Sequence, residues 1–166
     1  MEKMVVNNDT FFADVLRVLD EGKRATIPVK GYSMLPFIRG TKDLVILEKA
    51  GGGLKADDIV LFHVGPADGG RYVMHRILSI DGDAVDIMGD GVPYAHEHVL
   101  RNQVYAKAVT ILRDGKRPVH PYSRGQLRLV HFWQWLRPVR RYLLFIYRHL
   151  PWNRTWIKEN RTTYEN

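Results

Sequence analysis

Six short apolar segments lie between residues 25 and 112, and they restrict the fold of this chain more than any other feature. Each spans five to ten residues, and Gly, Asp or Pro residues separate most of them. Short apolar runs bounded by turn residues are typical of β-strands. The segments are ATIPVK, DLVILEK, DIVLFHV, RYVMHRILSI, AVDIM and VYAKAVTIL. They predict a compact, mainly antiparallel β domain or partial barrel, with a two-residue hairpin turn at Asp81-Gly82.

A short helix is predicted before the β domain. The stretch DTFFADVLRVLD, residues 9–20, places most of its apolar side chains on one helical face. Asn8 or Asp9 is a suitable N-cap, and Gly22 a suitable stop. We therefore divide the chain into three parts, namely a helix and lead-in over 1–24, a β domain over 25–112 and a tail over 113–166.

The tail carries the positive charge of the protein. It holds 12 of the 25 Lys and Arg residues but 3 of the 18 Asp and Glu residues, and all four tryptophans. After Pro138, where we expect a helix to start or kink, apolar residues share one helical face opposite an arginine cluster. The tail is thus a nucleic-acid-binding segment, a helical cap on the β domain or a helix at a membrane surface. We favour the membrane surface, which explains both faces at once.

Other features restrict location and chemistry. The N-terminal residues show no basic region followed by a long apolar stretch, so we expect no cleavable signal peptide. No run of about 18 uncharged apolar residues is present, which argues against a transmembrane helix. We expect a cytoplasmic or peripherally membrane-associated protein. The absence of cysteine excludes disulfides, thiolate catalysis and cysteine zinc sites.

The stretch GYSMLPFIRG, residues 31–40, holds a candidate nucleophile, Ser33. Gly31 permits a close backbone approach and Pro36 stiffens the chain after the serine. A serine hydroxyl attacks a carbonyl only with a base within hydrogen-bonding distance and donors for the oxyanion. Alone, this serine is better explained as an ordinary turn residue.

Two further residues favour a catalytic interpretation. His75 lies on a predicted strand in register with apolar neighbours, which directs it towards the core or the floor of a cleft and suits a general base. Asp90, in MGDG, is a carboxylate that would orient the imidazole. Each also has a structural explanation, His75 as a hydrogen-bonded core histidine and Asp90 as a turn residue.

The blocks GYSMLPFIRG, DIVLFHV, YVMHRI and MGDG, in this order, resemble the type I signal peptidase superfamily, which includes the LexA-type self-cleaving repressors. The resemblance covers residues 25–112 and implies a signal peptidase/LexA-like β domain with serine endopeptidase activity. Bacterial signal peptidases and LexA-type repressors use a lysine base, whereas the endoplasmic reticulum and archaeal types use histidine. Since His75 occupies that position, the chain resembles the histidine branch, which implies Ser33 as nucleophile and His75 as base.

The resemblance is incomplete at two points. Asp90 matches the Gly-Asp motif of the histidine branch, but the further aspartate of that branch has no match in GVPYAHEHV. Glu97 is a substitute for it, or Asp90 orients His75 alone. Bacterial enzymes also add a serine hydroxyl donor two residues before the nucleophile, where this chain has Gly31. We therefore expect the Ser33 backbone N–H to be the oxyanion donor, and a missing donor costs about 10²- to 10³-fold in rate.

His96 and His98 would share a strand face and form part of a metal site, but no third ligand is evident, and we expect exposed loop histidines. No metal or cofactor is predicted. The expected partners are a peptide or preprotein substrate and a membrane surface, without nucleic acid.

The sequence therefore predicts a serine endopeptidase that processes an exported or ribosomally made peptide after a small residue. A non-catalytic peptide- or membrane-binding module of the same fold is the alternative. A LexA-like regulator is disfavoured because we see neither a lysine base nor a DNA-binding domain before residue 25.

Overall fold

A computed structural model of the protein describes residues 8–66 and 70–149. Three α-helices flank or follow the strands, and a short 3-10 helix spans Arg101–Gln103. The helices are α1 (Asn8–Asp20), α2 (Arg124–Trp135) and α3 (Arg140–His149). The strands are β1 (Ala25–Pro28), β2 (Leu44–Lys49), β3 (Ile59–Val64), β4 (Arg71–Asp81), β5 (Ala84–Met88), β6 (His96–Leu100), β7 (Val104–Arg113) and β8 (Arg117–Val119).

The strands form one antiparallel sheet in the order β1-β2-β7-β3-β4-β5-β6, with β8 paired to β7. The prediction of a mainly antiparallel β domain is confirmed, and all six predicted segments lie in the sheet. Two strands were missed. β6 reads HEHVL and β8 reads RPV, and neither has the apolar run that identifies a strand from sequence.

The predicted hairpin between β4 and β5 is present, but its turn lies one residue later than expected. Asp81 pairs with Ala84, so the two connecting residues are Gly82 and Asp83. Gly82 has a φ of 55°, in the left-handed region that glycine adopts without strain. The glycine therefore occupies the first position of the turn rather than the second.

Both faces of the sheet are buried along β3. On β3, Ile59 and Leu61 belong to one apolar cluster, whereas Val60 and Phe62 belong to another. Alternate residues of a strand point to opposite faces, so the two clusters lie on opposite sides of the sheet. Helix α1 packs on the first cluster through Val15 and Leu19, as its apolar face predicted.

The sheet extends beyond residue 112, where we placed the end of the β domain, because β8 adds a short strand. Pro138 lies in the short break between α2 and α3, two residues before α3 begins. No helix in 8–66 or 70–149 is long and apolar enough to span a membrane. The last tryptophans, Trp152 and Trp156, lie outside the described residues.

Candidate active site

The turn that carries Ser33 is tightly wound. The Leu35 N–H donates to the Tyr32 carbonyl at 3.1 Å, and the Ile38 N–H donates to the Met34 carbonyl at 2.9 Å. Gly31 has a φ of 80°, and a Cβ at Gly40 would clash with the Gly31 backbone. These glycines let the chain fold back on itself, and Ser33 lies half-buried within the turn.

The MGDG segment, residues 88–91, packs directly on this turn. The Gly91 N–H donates to the Ser33 carbonyl at 2.7 Å. A Cβ at Gly91 would clash with the Tyr32 carbonyl oxygen, and one at Gly89 would lie 2.5 Å from the Ser33 carbonyl oxygen. Both glycines are therefore required by close backbone contact.

His75 is buried on β4, 5% exposed, and its Nδ1 lies 3.0 Å from Oε2 of Glu97. The sheet register explains this contact, since Ile77 pairs with Ile87 and Ile87 with Glu97. Opposed residues share a face, and His75 precedes Ile77 by two positions on the same face. Of the two carboxylates considered from sequence, Glu97 is the one that contacts the imidazole.

The second ring nitrogen of His75 faces the Ser33 turn. His75 Nε2 is buried and has no hydrogen-bond partner in the described part of the chain, the Ser33 hydroxyl included. It lies 3.0 Å from the Cβ position of Gly89, the same point that is 2.5 Å from the Ser33 carbonyl oxygen. A buried polar atom without a partner costs about 1–3 kcal/mol and needs an explanation, of which a catalytic role is one.

We expected Asp90 to contact His75, but it does not. Its carboxylate is paired with Arg76 instead. The Arg76 Nε lies 2.9 Å from Oδ1, and an Arg76 terminal nitrogen lies 2.7 Å from Oδ2. Both side chains are almost fully buried. Burial by itself disfavours the charged guanidinium, but the Asp90 carboxylate outweighs it and holds the pKa of Arg76 above its ordinary value. Asp90 thus connects the MGDG segment to β4, next to His75.

The oxyanion donor expected from sequence, the Ser33 backbone N–H, is not engaged by another group that the structure describes. The backbone N–H of Ser33 donates no hydrogen bond among the described residues. Gly31 has no side chain to offer a second donor, as its sequence position indicated. The turn therefore leaves one backbone donor beside the hydroxyl.

The tail contacts both the MGDG segment and the Ser33 turn. Trp133 on α2 donates its indole N–H to the Asp90 carbonyl at 2.7 Å. Arg140 lies over the Trp133 ring at 5.4 Å, and burial lowers its pKa. Leu144 on α3 packs against Leu35, two residues after Ser33. One side of the tail is therefore a cap on the β domain, which was one of the three interpretations open from sequence.

A cleft of about 320 Å³ lies between the Ser33 turn and α2. Pro36 and Phe37 line one side, and the other side is mainly apolar. The remaining lining residues are Arg113, Gln126, Leu129, Phe132 and Trp133.

We expected His96 and His98 in a loop, but both lie on β6. His96 Nδ1 is 3.1 Å from the nearer Asp86 oxygen, and His98 Nδ1 is 3.5 Å from the same oxygen. No group of three or more acidic or histidine side chains suited to hold a metal ion occurs in residues 8–66 and 70–149.

Sequence reasoning missed Arg76 and Trp133. A charged residue inside the apolar run YVMHRILSI was a usable signal, because a buried arginine requires a carboxylate partner and Asp90 was available. No local pattern indicated Trp133, since its partner is a backbone carbonyl 43 residues away.

Comparisons of the chain with protein-family models, with curated proteins and with solved structures find no match. The resemblance stated above therefore depends on the four sequence blocks. Over residues 8–66 and 70–149, the structure establishes an eight-stranded, mainly antiparallel sheet with one N-terminal and two C-terminal helices.

Proposed function

We propose that this protein is a serine endopeptidase in which Ser33 is the nucleophile and His75 the general base. The observation that carries the proposal is the hydrogen bonding of the two ring nitrogens of His75. Its Nδ1 is bound to Glu97, while its Nε2 is buried, unpartnered and directed at the segment that packs on Ser33. A proton held on Nδ1 by a carboxylate leaves the Nε2 lone pair free to accept a proton.

In the proposed reaction, Nε2 of His75 takes the hydroxyl proton of Ser33 as Oγ attacks the scissile carbonyl. The backbone N–H of Ser33 donates to the oxyanion. The imidazolium then protonates the leaving amine, and water hydrolyses the acyl-enzyme with His75 again as base. This requires Oγ to come within hydrogen-bonding distance of Nε2 when the substrate binds, as catalytic hydrogen bonds often tighten in the complex.

Glu97 and Asp90 have different roles in this proposal. Glu97 orients His75 and stabilises the imidazolium directly. Asp90 acts through Arg76 and through the backbone around it, which holds Gly89 and Gly91 against the Ser33 turn. Asp90 is thus a positioning residue and Glu97 replaces it as the carboxylate partner of the base.

The sequence blocks support assignment of this chain to the histidine branch of the signal peptidase superfamily. The antiparallel sheet is compatible with that assignment. In this proposal an extended peptide is cleaved after a small residue and adds to an exposed strand edge by β-augmentation. The cleft beside Pro36 and Phe37 fits an apolar substrate side chain.

The test is cleavage of a quenched fluorescent peptide library by the full chain and four variants. Ser33→Ala and His75→Ala are expected to abolish cleavage. Ser79→Ala and His98→Ala are matched controls, because both side chains are exposed, and these variants should cleave like wild type.

Glu97→Gln distinguishes the two carboxylates. It keeps the shape of the side chain but removes the charge that stabilises the imidazolium, so kcat should fall by at least about tenfold while the melting temperature changes little. Cleavage that survives both Ser33→Ala and His75→Ala would refute the dyad. A library that the wild-type protein binds but never cleaves would favour the non-catalytic binding module.

A further inference from the structure

The tail has a second face that the β domain does not cover. Five of the ten large apolar side chains that are exposed in the described residues lie between residues 135 and 146. Their exposed fractions range from 44% to 74%. We call them the apolar row, and its members are Trp135, Val139, Tyr142, Phe145 and Ile146.

Three members of the apolar row, Tyr142, Phe145 and Ile146, lie on α3 at the three- and four-residue spacing of one helix face. Trp135 is the last residue of α2, and Val139 lies in the turn between the two helices. Of the residues that pack on the body, Trp133 precedes the row, and Arg140 and Leu144 lie between its members in sequence. Docking of one face therefore leaves the other face open, and monomeric proteins rarely leave apolar surface grouped in this way without a partner.

The charge around the apolar row has one sign. Residues 124–149 contain six arginines and no Asp or Glu. Arg137 and Arg141, which adjoin the row in sequence, are exposed. An apolar face with large aromatic residues, beside arginines and without acidic residues, suits a surface that is apolar inside and anionic outside.

We propose that the apolar row lies in the interface of a membrane that contains anionic lipid, with the flanking arginines at the phosphate level. A second copy of the chain fits the surface less well, because symmetric pairing would bring arginines of both copies together without a carboxylate from residues 124–149. Nucleic acid would pair with the arginines but not with Val139 and Ile146. The bilayer satisfies both the charge and the aliphatic side chains.

This placement has a consequence for the candidate site. The opposite side of the same helices contacts Leu35 and the Asp90 carbonyl, so the lipid surface would lie one helix diameter, about 10 Å, from the Ser33 turn. A peptide at the membrane surface would then be presented to the site. The binding itself does not depend on peptidase activity.

The experiment is co-sedimentation of the full chain, as the Ser33→Ala protein, with vesicles of phosphatidylcholine alone or mixed with phosphatidylglycerol. We expect binding to the mixed vesicles that weakens as NaCl concentration rises. Trp135→Ser combined with Phe145→Ser should weaken binding about 100-fold, since each large apolar side chain contributes on the order of tenfold. The matched control combines Tyr94→Ser and Leu100→Ser, which are also exposed, and should bind as before.

Three results would overturn the proposal. They are no binding to the mixed vesicles, equal loss in the control protein, or undiminished binding by the Trp135 and Phe145 variant. Sedimentation velocity without lipid identifies the competing explanation, since a dimer that the variant dissociates would make the apolar row an interface between copies. Equal melting temperatures of all variants, expected because the altered side chains are exposed, show that the fold is retained.

Discussion

The close contact of Gly89 with the Ser33 turn and His75 predicts that Gly89→Ala will damage both stability and activity. The added Cβ would lie 2.5 Å from the Ser33 carbonyl oxygen, 2.9 Å from Val92 Cγ2 and 3.0 Å from His75 Nε2. Non-bonded heavy atoms pack at about 3.5 Å, so the Ser33 turn must retreat by about 1 Å. Gly89 does not have a positive φ, so the cost comes from the contact and not from the backbone conformation.

Overpacking of this kind costs about 1–3 kcal/mol in the free energy of unfolding. For a protein of this size, the melting temperature should fall by roughly 2–12 °C. Because a displacement of about 1 Å at reacting groups costs on the order of 10²-fold in rate, kcat/KM should fall by about that factor. Differential scanning calorimetry and peptide cleavage measure the two effects.

Two glycines provide the controls. Gly53→Ala adds a Cβ that meets nothing within 4 Å and should match wild type in both measurements. Gly91→Ala also strains the loop, but against the Tyr32 carbonyl and not against His75. It should therefore lower the melting temperature while reducing kcat less than Gly89→Ala does. Wild-type stability and activity in Gly89→Ala would refute the packing of the MGDG segment on Ser33.

Three further predictions concern charges and the tail. Asp90→Asn leaves the buried Arg76 charge uncompensated and should lower the free energy of unfolding in urea by about 3–5 kcal/mol, whereas an unchanged value would show the pair to be unimportant. Trp133→Phe removes the N–H that bonds the Asp90 carbonyl and should cost about 1 kcal/mol, whereas Trp135→Phe, which is 74% exposed, should cost nothing; equal effects would contradict the docked tail. Burial alone would raise the pKa of Asp43, but the hydrogen bonds that its carboxylate accepts from Arg39 and from the Asp114 backbone N–H, together with the charge of Arg113, hold this pKa below its ordinary value. The stabilisation from Asp43 is therefore complete above about pH 5 and declines as the pH falls through the lower folded-state pKa. Asp43→Asn should therefore flatten the acid side of the stability profile, and a profile identical to wild type would contradict this role.

The strands that sequence predicted share a property that needs no tertiary information. Each has enough apolar residues in a short run to be recognised, as in DIVLFHV and VYAKAVTIL. β6 could not be recognised because it is an edge strand, where one side of HEHVL faces solvent and the pattern is mostly polar. Its pairing with β5 is what makes it a strand.

The same distinction applies to the candidate site, where some residues were identifiable from local sequence and others depended on tertiary contacts. Ser33 and His75 were identifiable because a hydroxyl and an imidazole carry their chemistry in the side chain, and the sequence blocks placed them in a known order. The choice between Asp90 and Glu97 depended on the register of three strands, which no local pattern contains. The Asp90 carboxylate pairs with Arg76 because it stabilises the charge of this buried guanidinium.

By itself, the sequence determined the strand-forming segments, the first helix, the basic tail and the residue types available for chemistry, because these follow from local pattern and composition. Only the tertiary structure decided which carboxylate contacts His75, and that one side of the tail docks beside Asp90 while the apolar row stays exposed. The physical reason is that these are contacts between residues distant in the chain. Their partners are determined by strand register, by burial and by the pairing of the buried Arg76 with Asp90.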